Sequence, residues 1–212
     1  MVNTRRYEIS SEVLNAVSHG LAFFTCIIGL VFLIDKGLST SNLALFAYMV
    51  YGISLILLFL ASTLLHSFVF TKAKKAFMIC DHSAIYILIA GTYTPYLLLS
   101  IGGVLGWTVF VVIWLIAIVG IIMKVFFLSK YNRVFKASTL LYVLMGWLSM
   151  LIVVPVYNSI DFNGFVLLML GGLFYTVGAF IYSRSFKYNH VIWHCFVILG
   201  ALCMYLSIYL YV

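Results

Sequence analysis

HVIWHCFVILGALCMYLSIYLYV, residues 190–212, contains no Asp, Glu, Lys or Arg. It is long enough to carry an α-helix across a hydrocarbon core, a crossing that takes about 20 residues. It also begins with two histidines four positions apart. On a helix His190 and His194 project from one face, about 6 Å apart along the axis. The stretch therefore makes two statements: the chain lives in lipid, and one end of this helix gathers imidazoles.

Both statements extend to the rest of the chain. Of its 212 residues 66% are hydrophobic and 8% charged, against roughly 25% charged in a soluble domain. No water-soluble fold hides that much apolar surface. Seven stretches qualify as spans: Leu14–Ile34, Leu43–His66, Phe77–Leu99, Gly106–Val125, Ala137–Tyr157, Gly164–Ser183 and Val191–Val212. The short connections hold the charges and turn residues, as in Asp35-Lys36-Gly37, Lys72-Ala73-Lys74-Lys75 and Asp161-Phe162-Asn163-Gly164. The expected fold class is all-α, one polytopic seven-helix domain over residues 1–212 without linker or internal repeat.

Arg5 and Arg6 precede an apolar run, but Glu8, Ser10, Ser11, Glu12 and Asn15 intervene and no cleavage site follows. The segment reads as a retained first helix. With the amino terminus inside and alternating spans, 11 of the 12 Lys and Arg residues fall on the inner side and only Lys36 outside. The positive-inside bias predicts a multi-pass protein of the cell membrane with a cytoplasmic amino end and an outer carboxyl end. The surplus of bases is matched to anionic headgroups, making membrane lipids the expected partners. No basic patch interleaved with aromatics points to nucleic acid. Cys26, Cys80, Cys195 and Cys203 form no C-x-x-C pair and read as small buried residues. Pro95 and Pro155 sit inside or near the ends of the third and fifth spans, where either could kink its helix by deleting a backbone hydrogen bond, with packing irregularity the default reading for both.

Ionisable groups inside spans are costly and few. Glu12 and His19 open the first span, His66 closes the second, Asp81 and His82 lie early in the third, and His190 and His194 open the seventh. Alternation puts all of them toward the inner face. Three imidazoles with an open fourth position suit a catalytic zinc ion, and Asp81 at similar depth could hold or deprotonate a water there. Ser62 shares a face with His66. A pH-sensing or proton-relay cluster is the competing reading. His82 points about 100° away from Asp81 around the helix and is assigned an interfacial or capping role. Glu12, Asn15 and His19 form a stripe suited to support the site from behind.

E-x-x-N-x-x-S-H at 12–19, S-x-x-x-H at 62–66, D-H-S-A-I at 81–85, G-T-Y-T-P at 91–95 and H-x-x-W-H at 190–194 resemble the haemolysin III family. That family is the bacterial branch of the progestin and adipoQ receptors and is similar to the alkaline ceramidases. The resemblance covers nearly the whole chain. It implies a seven-helix bundle with one Zn²⁺ on His66, His190 and His194, with Asp81 acting through a bound water and Ser62 beside the site. The implied activity is hydrolysis of a lipid amide or ester, with Asp81 and Ser62 as catalytic residues and a role in lipid homeostasis. A non-enzymatic regulator with structural zinc, and a cytolytic pore, are the alternatives. The pore has less support, because no polar stripe runs the length of any span. The short outer loops offer no platform for a hormone.

Overall fold

A computed structural model describes residues 2–127 and 141–212, and these are helical with no strand among them. Seven helices are long and apolar enough to cross a membrane: α1 (Val2–Thr40), α2 (Asn42–Ser67), α3 (Lys74–Pro95), α4 (Gly103–Phe127), α5 (Leu141–Ser159), α6 (Phe162–Tyr182) and α7 (Asn189–Tyr211). The expected start of the fifth span, Ala137, lies outside the described residues. The outer surface is apolar: Val104 and Leu151 are 85% and 80% exposed, and α1 turns Leu21, Phe24, Ile28 and Val31 outward. In water each such side chain would cost about 25 cal/mol per Å². Against acyl chains the cost disappears, and the protein is a multi-pass membrane protein.

The same argument corrects the reading of the cysteines. Among the described residues none of the four is buried, and Cys80 and Cys195 are exposed. A small apolar side chain facing lipid is as well placed as one in a core.

The first helix is longer than its apolar run suggests. Asp35-Lys36-Gly37, expected as a connection, forms the last turns of α1. Lys36 has a use there: its Nζ donates to the carbonyls of Tyr209 (2.7 Å) and Ile208 (3.3 Å), capping the carboxyl end of α7. Gly37 lets α2 pass, since a Cβ would sit 2.6 Å from the Leu45 Cα. The turn itself is Ser41, whose Oγ accepts from the Ala44 N–H at 3.1 Å.

Pro95 does disturb its helix. Lacking an N–H, it cannot continue the α ladder, and α3 widens immediately after it into a π turn over Tyr96–Ile101. That turn closes with Gly102 N–H on the Leu97 carbonyl at 2.9 Å. Gly102 and Gly103 then reverse the chain with φ of 63° and 56°, a region glycine enters without strain. Pro155 follows a tight 3₁₀ stretch, Leu148–Ile152, inside α5. Carbonyls set free in lipid need a donor, and the Tyr93 hydroxyl reaches those of Met145 (3.0 Å) and Gly146 (2.8 Å), fastening α5 to α3.

In packing order, α4 lies on α3, α3 on α2, α2 on α1, α1 on α7 and α7 on α6, while α5 meets the π turn and reaches α6 through Trp147–Thr176 and Tyr157–Phe165. The α6–α7 contact is extensive and close. Gly164, Gly171 and Gly178 recur every seven residues along α6, and a Cβ on each would crowd Tyr211, Met204 and Trp193 of α7, respectively. Small residues in this register let two helices approach within lipid. They hold the helix that carries His190 and His194.

Candidate metal centre

Five helices bring polar side chains to one end of the bundle. At the start of α7, Asn189 organises the turn: its Oδ1 accepts from the His190 N–H (2.9 Å) and its Nδ2 donates to the Arg184 carbonyl (2.6 Å). Tyr188 precedes it with φ of 61°, unusual for a bulky residue. Its N–H donates to the Tyr7 hydroxyl of α1 at 2.9 Å. The first turn of α7 is thus tied at both sides, and His190 and His194 descend from it toward α2.

His66, on the last turn of α2, meets them. One ring nitrogen from each of His66, His190 and His194 lies within 4.8 Å of the others, a group that could hold a metal ion. The ring centroids are 4.9 Å apart for His66–His190, 4.9 Å for His66–His194 and 4.7 Å for His190–His194. Their planes stand at 79°, 73° and 86° to each other. The three rings meet edge to face. His66 and His194 are buried and His190 is half-buried.

The proton positions support a cation. Glu12 Oε2 lies 2.6 Å from His66 Nδ1. A carboxylate only accepts, so Nδ1 carries the proton and the lone pair is on Nε2. That Nε2 is buried and has no hydrogen-bond partner among the described residues. A carboxylate holding the far nitrogen of a ligating histidine is the usual support for a metal. Zinc with nitrogens about 2.0–2.1 Å away fits this donor set.

Asp81, one helical turn and more into α3, is hydrogen-bonded by Ser62 of α2. Both line the same cavity as the three histidines. Asn15 and His19 lie behind the trio. The His19 ring is stacked on His194 at 3.6 Å and 10°, with Phe59 edge-on at 5.0 Å. It is a wall for the ligand ring rather than a fourth member of the trio. Asn15 is fully buried one turn earlier, and its amide atoms and both His19 nitrogens lack partners among the described residues.

His82 was expected in an interfacial or capping role. It is half-buried, it lines the same cavity as Asp81, and its Nδ1 lies 3.4 Å from Nζ of Lys124. Lys124, counted among the inner-side charges at the end of the fourth span, is only 2% exposed inside α4. The signal was in the sequence: Ile113, Ala117, Gly120 and Lys124 recur at helical spacing. All four are buried, with Gly120 set against the Tyr86 ring of α3. A small-residue stripe marks the packed face of a helix, and Lys124 continues it.

From this polar end a cavity of about 740 Å³ runs along the bundle between α3, α5, α6 and α7. Its walls are mostly apolar, including Leu88, Tyr96, Val156, Phe165 and Met204.

These features define a class: a polytopic helical protein with a buried three-histidine group at the head of a lipid-like cavity. The chain belongs to the haemolysin III family, whose profile, described as Haemolysin-III related, matches residues 7–205. It is 45% identical to Hemolysin-3 of Bacillus cereus over 206 residues, 96% of this chain and 93% of that protein. It is 41% identical to the Hemolysin-3 homolog of Bacillus subtilis (strain 168) over 207 residues, 97% of this chain and 96% of that protein. A more distant relative is the human monocyte to macrophage differentiation factor, 32% identical over 169 residues, 76% of this chain and 68% of that protein.

Proposed function

We propose that the protein is an intramembrane zinc hydrolase that cleaves a lipid amide or ester and so serves membrane lipid homeostasis. The observation that carries the reading is the junction of two things: a three-histidine group with Asp81 and Ser62 beside it, and an apolar cavity opening from it. A structural metal site needs no cavity, and a lipid-storage cavity needs no cluster of buried imidazoles.

His66, His190 and His194 hold the ion, and Glu12 fixes the His66 ring. Zinc supplies Lewis acidity there, making water nucleophilic near neutral pH and polarising a carbonyl oxygen. Asp81 accepts the proton of the attacking water and returns it to the departing amine or alcohol. Ser62 orients that carboxylate through its hydrogen bond. The acyl chain lies in the cavity, entering sideways from the membrane. In the orientation that the positive-inside bias favours, the centre lies in the cytoplasmic leaflet of the cell membrane.

Metal analysis of the purified protein beside His190→Ala tests this, together with release of fatty acid from an N-acylated sphingoid base. One zinc per chain, lost in the variant along with turnover, is the expected result. Equal metal content in both proteins sinks the centre. Zinc without turnover of any lipid amide or ester sinks the chemistry and leaves a structural ion in a regulator.

A further inference from the structure

Two glycines in the cavity wall hold no helix against another among the described residues. Gly164, Gly171 and Gly178 of α6 pack on α7, but a Cβ on Gly172 would meet no described atom within 4 Å, and neither would one on Gly146 of α5. Both are half-buried and both line the cavity. Their carbonyls have partners, the Tyr93 hydroxyl for Gly146 (2.8 Å) and the Thr176 hydroxyl for Gly172 (2.8 Å), yet any residue supplies a carbonyl. Glycine is a poor helix former, so neither helix geometry nor packing accounts for it here. What the two positions share is a place in the cavity wall, where the missing side chain leaves room.

They also share a depth. The Tyr182 ring, 5.2 Å from that of His190, marks the level of the histidine centre on α6. Gly172 lies ten residues along the helix from it, ~15 Å by helical rise. On α5, Trp147 Nε1 donates to Thr176 Oγ1 at 3.1 Å, which places Gly146 beside the same stretch of α6. Tyr93, bonded to the Gly146 carbonyl, is twelve residues beyond Asp81, ~18 Å on the same scale. The cavity wall continues to Phe162, ten residues and ~15 Å past Gly172. Its whole length is close to the ~30 Å thickness of the hydrocarbon core, twice what the chains of one leaflet fill. The glycines stand halfway, where a chain anchored at the centre passes from one leaflet's depth to the other's.

We propose that Gly146 and Gly172 form a pass through which one acyl chain runs beyond the bilayer midplane, so that the protein takes lipids whose acyl chain is longer than a single leaflet. The head of the lipid stays at the histidines, and the methyl end lies among Val156, Phe165 and Met204. This names the acyl class of the hydrolase reading and rests on it for the placement of the chain. A side chain at either glycine acts as a stop.

Decanoic, hexadecanoic and tetracosanoic acids are bound to purified, zinc-loaded protein in detergent. Each variant's affinity is divided by that of wild type, which cancels the preference of long chains for micelles. In Gly172→Leu and in Gly146→Leu the affinity for tetracosanoic acid is expected to fall about tenfold, while decanoic acid binds within about twofold of wild type and hexadecanoic acid lies between. Zinc content and thermal stability stay at wild-type level. Should a leucine variant fail to fold, Gly172→Ala shows the same order of losses at smaller size. Tetracosanoic acid bound as well by the variants as by wild type overturns the pass. So does a loss of equal size for all three acids, which would mark a general distortion rather than a stop. A length-dependent loss with no turnover of any lipid amide or ester keeps the pass and rejects the hydrolase. Turnover of decanoyl and tetracosanoyl amides in the same ratio by wild type and variants keeps the hydrolase and rejects the pass.

Discussion

The two ends of the bundle treat their polar groups differently. At the end away from the histidines, hydrogen bonds are mostly closed within the protein. Lys36 is spent on the carbonyls of Tyr209 and Ile208, Tyr96 donates to Ser207 at 2.8 Å, Ser207 to the Gly164 carbonyl at 2.7 Å, and Asp161 caps α6 through the Asn163 N–H at 2.8 Å. Tyr48, Tyr51 and Tyr175 are the tyrosine hydroxyls left without a partner among the described residues. At the histidine end, buried nitrogens of His66, His19 and His194 and the Asn15 amide lack partners among the described residues. Buried polar groups are costly unless bonded, and more so in lipid. A network that only holds helices together can be closed by its own side chains. One that remains open is built for something brought from outside.

The sharpest way to break this contrast is to remove the carboxylate at the reaction centre. Asp81→Ala should keep its zinc by metal analysis yet lose at least ~100-fold in turnover, the usual scale of a positioned acid–base group. Loss of the metal as well would make Asp81 a ligand. Next in size, Glu12→Gln exchanges an anionic acceptor for a neutral one behind His66. Zinc affinity should fall about 10–100-fold, the common cost of removing such a support, as read by competition with a chelator. His19→Phe keeps a flat ring against His194, so it should bind zinc within a few-fold of wild type, whereas His19→Ala should bind more weakly. An equal loss in both would mean that the His19 nitrogens, not its face, matter. The smallest effect belongs to the closed end. Lys36→Met should lower stability by about 1–2 kcal/mol, the scale of a charge at a helix terminus, while the zinc content stays at wild-type level. A loss of zinc in that variant would erase the distinction between the ends.

Apolar runs made the spans legible to within a few residues, because lipid imposes length and hydropathy on every crossing. The exceptions have local causes. α1 extends through Asp35 and Lys36 because α7 offers carbonyls to the amine, a partner 172 positions away that no window can see. Depth in the membrane was legible too, and with it the grouping of His66, His190 and His194. Rotation was less so. Nothing near Glu12 announces that its carboxylate reaches His66 across two helices. His82 was turned away from Asp81 on sound helical geometry, yet a cavity wall is wide enough to receive both. Lys124 fell within the fourth span, where its place near the inner end gave no sign of burial, while the stripe Ile113, Ala117, Gly120 marks the packed face. The stripe was the stronger physical signal, since burial is decided by which side of a helix is covered.

The glycine register on α6 has a mechanical consequence. Gly164, Gly171 and Gly178 bring α6 close against α7, so a displacement of one is passed to the other. His190 and His194 stand on α7 and His66 on α2, so a cation held by all three would act as a clasp between helices that Lys36 and Tyr7 of α1 also help to hold.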